Sequence, residues 1–153
     1  MLPTVTGRDE FAALIIRTDF SDETVWRAVC AESLRPWGDG DYEPHVHIVD
    51  DPVWVGATTG DVIAAVSADE DLSVVFLADR ITMRDREHPL LAVAVLTRDE
   101  CESDEEFEAY GGSVRTVAAG IHDIHANLSI ANLDFADFAE AAQTDPAGIF
   151  RSF

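Results

Sequence analysis

The stretch Leu14-Ile15-Ile16-Arg17-Thr18-Asp19-Phe20-Ser21-Asp22 constrains the fold more than any other part of the chain. The nearly continuous apolar run from Ala12 to Thr18 has the length of a strand. Its lack of alternation suits burial on both faces of a parallel sheet. The acid that ends it runs straight into a helix start, with Ser21 or Asp22 as the cap and Asp22 and Glu23 near the positive end of the helix. Open α/β sheets begin with such a strand-acid-helix unit, and their crevices lie beyond the strand ends.

The rest of the chain repeats this grammar. Val25, Trp26, Val29, Cys30 and Leu34 mark the core face of the first helix, which Pro36 and the Trp37-Gly38-Asp39-Gly40 turn end. His45 to Asp50 reads as a second strand, and Val53 to Gly56 as a short extended piece. Thr58 or Thr59 caps a brief helix through Val62, Ile63 and Val66. Ser73 to Asp79 is a third strand, again ending in an acid. The link from Arg80 to Pro89 is at the lower limit for a parallel crossover. It fits a single helical turn around Ile81-Thr82-Met83, or a hairpin-like return that makes the next strand, Leu90 to Thr97, antiparallel.

Beyond that strand, Ser113 to Ala118 alternates in the manner of an edge strand. Ile121, Ile124, Leu128 and Ala131 mark a helix, and Asp134 caps a shorter one carrying Phe135, Phe138 and Ala142. The aromatic tail predicts Phe150 and Phe153 docked on the core. Residues 1–153 are therefore expected to form a single α/β domain with three layers. Four to five mostly parallel strands, with Leu14–Thr18 and Leu90–Thr97 in the middle, carry helices on both faces and a C-terminal helical corner. Residues 1–10 read as a flexible lead-in and 98–112 as an acidic loop.

Charge sets the classes of partner. Thirty acids face ten bases for a net −20, and every base is Arg, with no Lys anywhere. Such a field repels phosphate backbones and acidic membranes and attracts basic proteins and divalent cations. A GC-rich or salt-adapted genome would leave the same composition. No apolar run reaches the roughly 18–20 residues of a membrane span. The segment Met1–Arg8 lacks a basic region followed by an apolar one, so the expected location is cytoplasmic. Cys30 is expected to be buried and Cys101 exposed in an acidic run, both as reduced thiols.

Three segments carry a family likeness: the Leu14-to-Asp22 block, the Asp50-Asp51-Pro52-to-Gly56 turn, and Asn127-Leu128-Ser129-Ile130-Ala131-Asn132-Leu133-Asp134-Phe135 with the Gly148-to-Phe153 ending. Together they resemble an uncharacterised family of small acidic proteins, mostly actinobacterial, known as a domain of unknown function. The resemblance spans nearly the whole chain and implies one free-standing domain. It implies no activity, substrate or catalytic residue.

Several residue sets are candidates for chemistry. If the strands are parallel, Asp19, Asp50, Asp51 and Asp79 emerge at one edge of the sheet, where convergent carboxylates can hold Mg²⁺ for phosphoryl transfer or hydrolysis. The sequence after Asp19 lacks the acid-x-acid-x-Thr pattern of a dehalogenase nucleophile, and without Lys a phosphoryl oxygen would fall to Arg17, Arg80 or Arg115. His45 and His47 share a strand face and His122 and His125 a helix face, which gives a Zn²⁺ set only if those faces meet. Asn127, Asn132 and Asp134 suit a structural corner between two helices. No dinucleotide fingerprint, phosphate-binding loop or nucleophile elbow is present, and no cofactor is expected.

The leading expectation is a non-enzymatic interaction domain of the immunity or inhibitor kind. It would bind a basic protein through Asp99, Glu102, Glu105, Glu106 and Arg151, with no direct contact to nucleic acid or membrane. The rival is a metal-dependent hydrolase or phosphotransferase built on Asp19, Asp50 and Asp79.

Overall fold

A computed structural model describes residues 2–9, 11–35, 45–69, 72–95, 101–110, 112–129 and 134–151. In chain order it contains β1 (Ala13–Arg17), α1 (Glu23–Ser33), β2 (Val46–Val49), a 3-10 turn (Pro52–Trp54), α2 (Thr59–Val66), β3 (Val74–Ala78) and α3 (Arg80–Arg84). These are followed by β4 (Leu90–Ala94), α4 (Asp104–Tyr110), β5 (Ser113–Thr116), α5 (Gly120–Ser129), α6 (Phe135–Gln143) and β6 (Ile149–Phe150). The sheet order is β2-β1-β3-β4-β5-β6. β1 pairs in parallel with β2 and β3, and β6 with β5, while β4 is antiparallel to both its neighbours. The α/β class holds, with six strands where four or five were expected.

The reversal of β4 follows from the length of its link. α3 has only five residues, too few to carry the chain back across the sheet for a parallel strand. The helical turn and the antiparallel return, posed as alternatives, are both present. β1 and β3 are buried along their whole length; β3 is apolar throughout and β1 is apolar up to its last residue, Arg17. β5 is interior rather than an edge strand, because Ile149 and Phe150 add a strand outside it.

Side-chain alternation divides the core in two. Ala13, Ile15, Val74, Phe76, Ala92 and Val114 pack with Trp26 and Val29 of α1, Ile121 and Ile124 of α5, and Phe135 and Phe138 of α6. On the other face Leu14, Ile16, Val75, Leu77 and Val93 pack with Trp54, Val62, Ala65 and Val66. Phe150 docks on the first cluster, with its ring edge against Phe138 at 5.2 Å. Phe153 lies outside the described residues. Among the described residues no helix is long and apolar enough to cross a membrane.

Four local expectations are corrected. The lead-in is docked: Val5 N–H donates to the Ala65 carbonyl at 3.0 Å, and Arg8 pairs with Asp69 at 2.7 Å with its side chain buried. The segment 98–112 contains α4, whose start is organised by Ser103 and Glu106. The Ser103 hydroxyl accepts from Glu106 N–H at 3.1 Å, and the Glu106 carboxylate from Glu102 N–H at 2.8 Å. Residues after Asp51 form the 3-10 turn and not an extended piece, because Asp51 accepts from Val53 N–H and Pro52 starts the turn. The caps of α1 and α2 are Asp22 and Thr58. Both cysteines are half-buried, which corrects the exposed setting expected for Cys101.

Candidate functional site

Because β1, β2 and β3 are parallel, Asp19, Asp50 and Asp79 follow the ends of adjacent strands at one edge of the sheet. The residue that organises this edge is Arg17, the last of β1 and only 2% exposed. Each of its nitrogens is engaged: Nε donates to the Asp19 carbonyl at 3.2 Å, Nη1 to Asp50 at 3.2 Å and Nη2 to Glu23 at 2.8 Å. Its guanidinium also lies 4.3 Å from the Phe20 ring centroid and 5.1 Å from that of Trp26. Trp26 Nε1 donates to the second Asp50 oxygen at 3.1 Å. A buried cation is thus compensated by two carboxylates and two aromatic faces, as its desolvation requires.

The other two acids are held separately. The Asp19 carboxylate accepts from the Ser21 N–H at 2.9 Å and from the Ser21 hydroxyl. Asp79 caps α3 and receives both Arg115 Nη atoms at 2.7 Å in a two-pronged pair. Burial pushes the Asp79 carboxyl up, but Arg115 and Thr82 together hold it below its ordinary value. Near the first centre, burial and then Asp50 push the Cys30 thiol up, which disfavours the thiolate. The three acids share an edge, and each is bound by a different donor set. Among the described residues no group of three or more His, Cys, Asp or Glu side chains is placed to hold a metal ion.

The histidine pairs do not meet. His47 pairs in register with Leu14 and so lies on the α2 face, whereas His122 and His125 stand on α5, whose Ile121 and Ile124 pack against the opposite face. His45, just before β2, is exposed. His122 Nε2 is 3.0 Å from the Ser33 carbonyl and His125 Nε2 is 3.1 Å from that of Phe11, so α5 is tied to the end of α1 and to the start of β1.

Of the acids expected to bind a partner, Glu102 and Glu105 are exposed, Glu106 is half-buried and organises the start of α4, and Asp99 lies outside the described residues. Arg151 sits past the end of β6 and pairs with Glu87 and Asp145. Of the residues assigned to the helical corner, Asn127 Nδ2 donates to the Asp123 carbonyl at 2.7 Å, and Asp134 caps α6. Asn132 lies outside the described residues.

A family model described as Domain of unknown function (DUF6924) matches residues 12–153. The chain belongs to this family. The DUF6924 match opens at Ala12, one residue before β1, and takes in every strand and helix of the fold. The Arg17 centre and the Asp79–Arg115 pair therefore fall inside the DUF6924 region, and the Arg8 anchor precedes it. Among curated proteins no sequence matches the chain.

Sequence reasoning noted Arg17 and Arg115 only as stand-ins for lysine. A readable signal for Arg17 existed: a charged residue closing a fully apolar strand is buried with it and needs carboxylates close by. For Arg115 the alternation of β5 hid the pairing, which depends on the β3-β4-β5 register.

Proposed function

We propose that this DUF6924 chain is a non-enzymatic interaction domain whose acidic surface engages a basic protein, as an immunity or inhibitor protein does. The observation that carries this reading is the division of labour among the carboxylates. Those at the sheet edge, Asp19, Asp50 and Asp79, are held by the chain's own donors, whereas α4 and its approach present Glu102 and Glu105 at the surface. With a net −20, long-range attraction steers basic partners and repels polyanions. The same reading expects a cytoplasmic, actinobacterial protein, with neither nucleic acid nor membrane as a direct partner. The test is retention of basic proteins on the immobilised chain. Binding should weaken steeply between about 0.1 M and about 0.5 M salt and fall when Glu102 and Glu105 become Gln. Retention indifferent to salt, or no preference for any basic protein, overturns it.

A second reading rests on the shared edge of Asp19, Asp50 and Asp79: a metal-dependent hydrolase or phosphotransferase. Titration calorimetry with Mg²⁺, Mn²⁺ and Zn²⁺ separates the two. Heat of binding that disappears in Asp19→Asn supports the enzyme, and its absence from the wild-type chain ends it.

A further inference from the structure

Besides Arg17, half of the arginines in this acidic chain gather at one end of the sheet. Arg80, Arg84 and Arg86 lie on α3 and the turn after it, Arg115 near the end of β5 and Arg151 just past β6. Of the carboxylates in the same segment, Asp79 is drawn to Arg115 and Glu87 to Arg151, whereas the exposed Asp85 accepts from the Glu87 N–H at 3.0 Å and leaves Arg80, Arg84 and Arg86 in excess of it. Arg8, Arg17, Arg27, Arg35, Arg115 and Arg151 all make ion pairs. Arg80, Arg84 and Arg86 are exposed, and among the described residues no ion pair or hydrogen bond holds their side chains. With acids outnumbering bases three to one in the chain as a whole, three uncommitted guanidiniums in seven consecutive residues are an exception to its own pattern. Ile81, 49% exposed, stands among them.

We propose that Arg80, Ile81, Arg84 and Arg86 form a ledge that docks a short acidic protein segment bearing an aliphatic side chain. The carboxylates of the segment pair with the guanidiniums, whose forked donors match them, and its apolar residue covers Ile81. Charge complementarity selects the occupant. A nucleic acid long enough to bind would run off the ledge onto an acidic body, and a second copy of the chain would bring another −20 with it. A short segment meets only the local field, since charges beyond about 8 Å are screened at physiological salt. All four residues are exposed, so they offer a surface and not a pocket. This ledge has the opposite charge and a different location from the acidic helix α4, so the two readings stand or fall separately.

The experiment is an NMR titration of the isotope-labelled full chain with a synthetic peptide of alternating Glu and Leu. Amide shifts should concentrate in residues 80–88 and fade as salt is raised. The triple variant Arg80→Glu, Arg84→Glu, Arg86→Glu should bind about tenfold more weakly with an unchanged thermal midpoint, since none of the three is paired. Ile81→Ser should weaken binding about threefold. Absence of shifts, shifts mapping elsewhere, or equal binding by the triple variant overturns the proposal. Tighter binding of a single-stranded oligonucleotide at the same residues assigns the ledge to phosphate, and self-association lost in the triple variant assigns it to a second copy. Either result also overturns it.

Discussion

Arg17 and Asp50 meet at 3.2 Å across the gap between β1 and β2, and the free oxygen of that carboxylate takes the indole N–H of Trp26. One acid thus fastens two strands to α1. Asp50→Ala should cost about 2 kcal/mol, because it leaves a buried cation and an indole N–H short of partners. Asp50→Asn, which keeps an acceptor for one of them, should cost less. Urea unfolding of both variants measures the difference, and equal stability of Asp50→Ala and the wild type refutes the arrangement.

Gly120 has no room for a side chain. A Cβ there would collide with Thr116 Oγ1 and stand 2.9 Å from Phe150 Cδ2. Thr116 is locked by its bond to the Phe150 carbonyl, so neither neighbour can step aside cheaply. Gly120→Ala should lose about 2 kcal/mol despite the better helix propensity of Ala. A thermal midpoint at or above that of the wild type would contradict this packing.

His122 and His125 should make the fold sensitive to mild acid. Burial lowers both imidazole pKa values, against the opposing pull of their carbonyl partners; Arg8 and His122 depress His125 further, whereas Asp123 raises His122. Since the folded values lie below the unfolded one, their contribution is complete above about pH 6.5 and is lost as pH falls towards the folded values. Thermal midpoints measured from pH 7.5 down to about 5 should drop for the wild type and drop less for His122→Asn with His125→Asn. Parallel profiles would exclude the histidines as the cause.

Asp79 and Asp145 act in a lower window. Asp79 is depressed despite burial by Arg115 and Thr82, and Asp145 is held at about 2, mainly by its hydrogen bond to Arg151. A carboxyl depressed in the fold contributes above its unfolded value, near pH 4, and stops contributing as pH falls through the folded one. Acid titration of Asp79→Asn should therefore show a shallower loss of stability below about pH 4. An unchanged slope would show the Asp79–Arg115 pair to be energetically idle.

How far the sequence reveals this molecule depends on whether a feature is local. The strands at Leu14, Ser73 and Leu90, the core stripe of Phe135, Phe138 and Ala142, and the caps at Asp22, Thr58 and Asp134 were readable because periodicity and capping act over a few residues. β6 was not readable: two residues carry no period, and only pairing with Arg115 and Thr116 makes Ile149 and Phe150 a strand. α4 was obscured by its charge, although Ser103 and Glu106 show the spacing of a capping box. The shared edge of Asp19, Asp50 and Asp79 followed from parallel strands, but their partners did not. Those depend on Arg17 and Arg115, placed by contacts distant in sequence.

The short link before β4 also governs how the sheet assembles. Residues 79–89 join β3 to β4 directly, whereas every other paired strand must close a longer stretch of chain, with the helices in between. Loop closure favours the nearer pair, so β3 and β4 are expected to pair first, with β1, β5 and the outer strands adding to them afterwards. Truncating Phe76 or Leu90 should therefore slow refolding, whereas truncating Ile149 should mainly hasten unfolding.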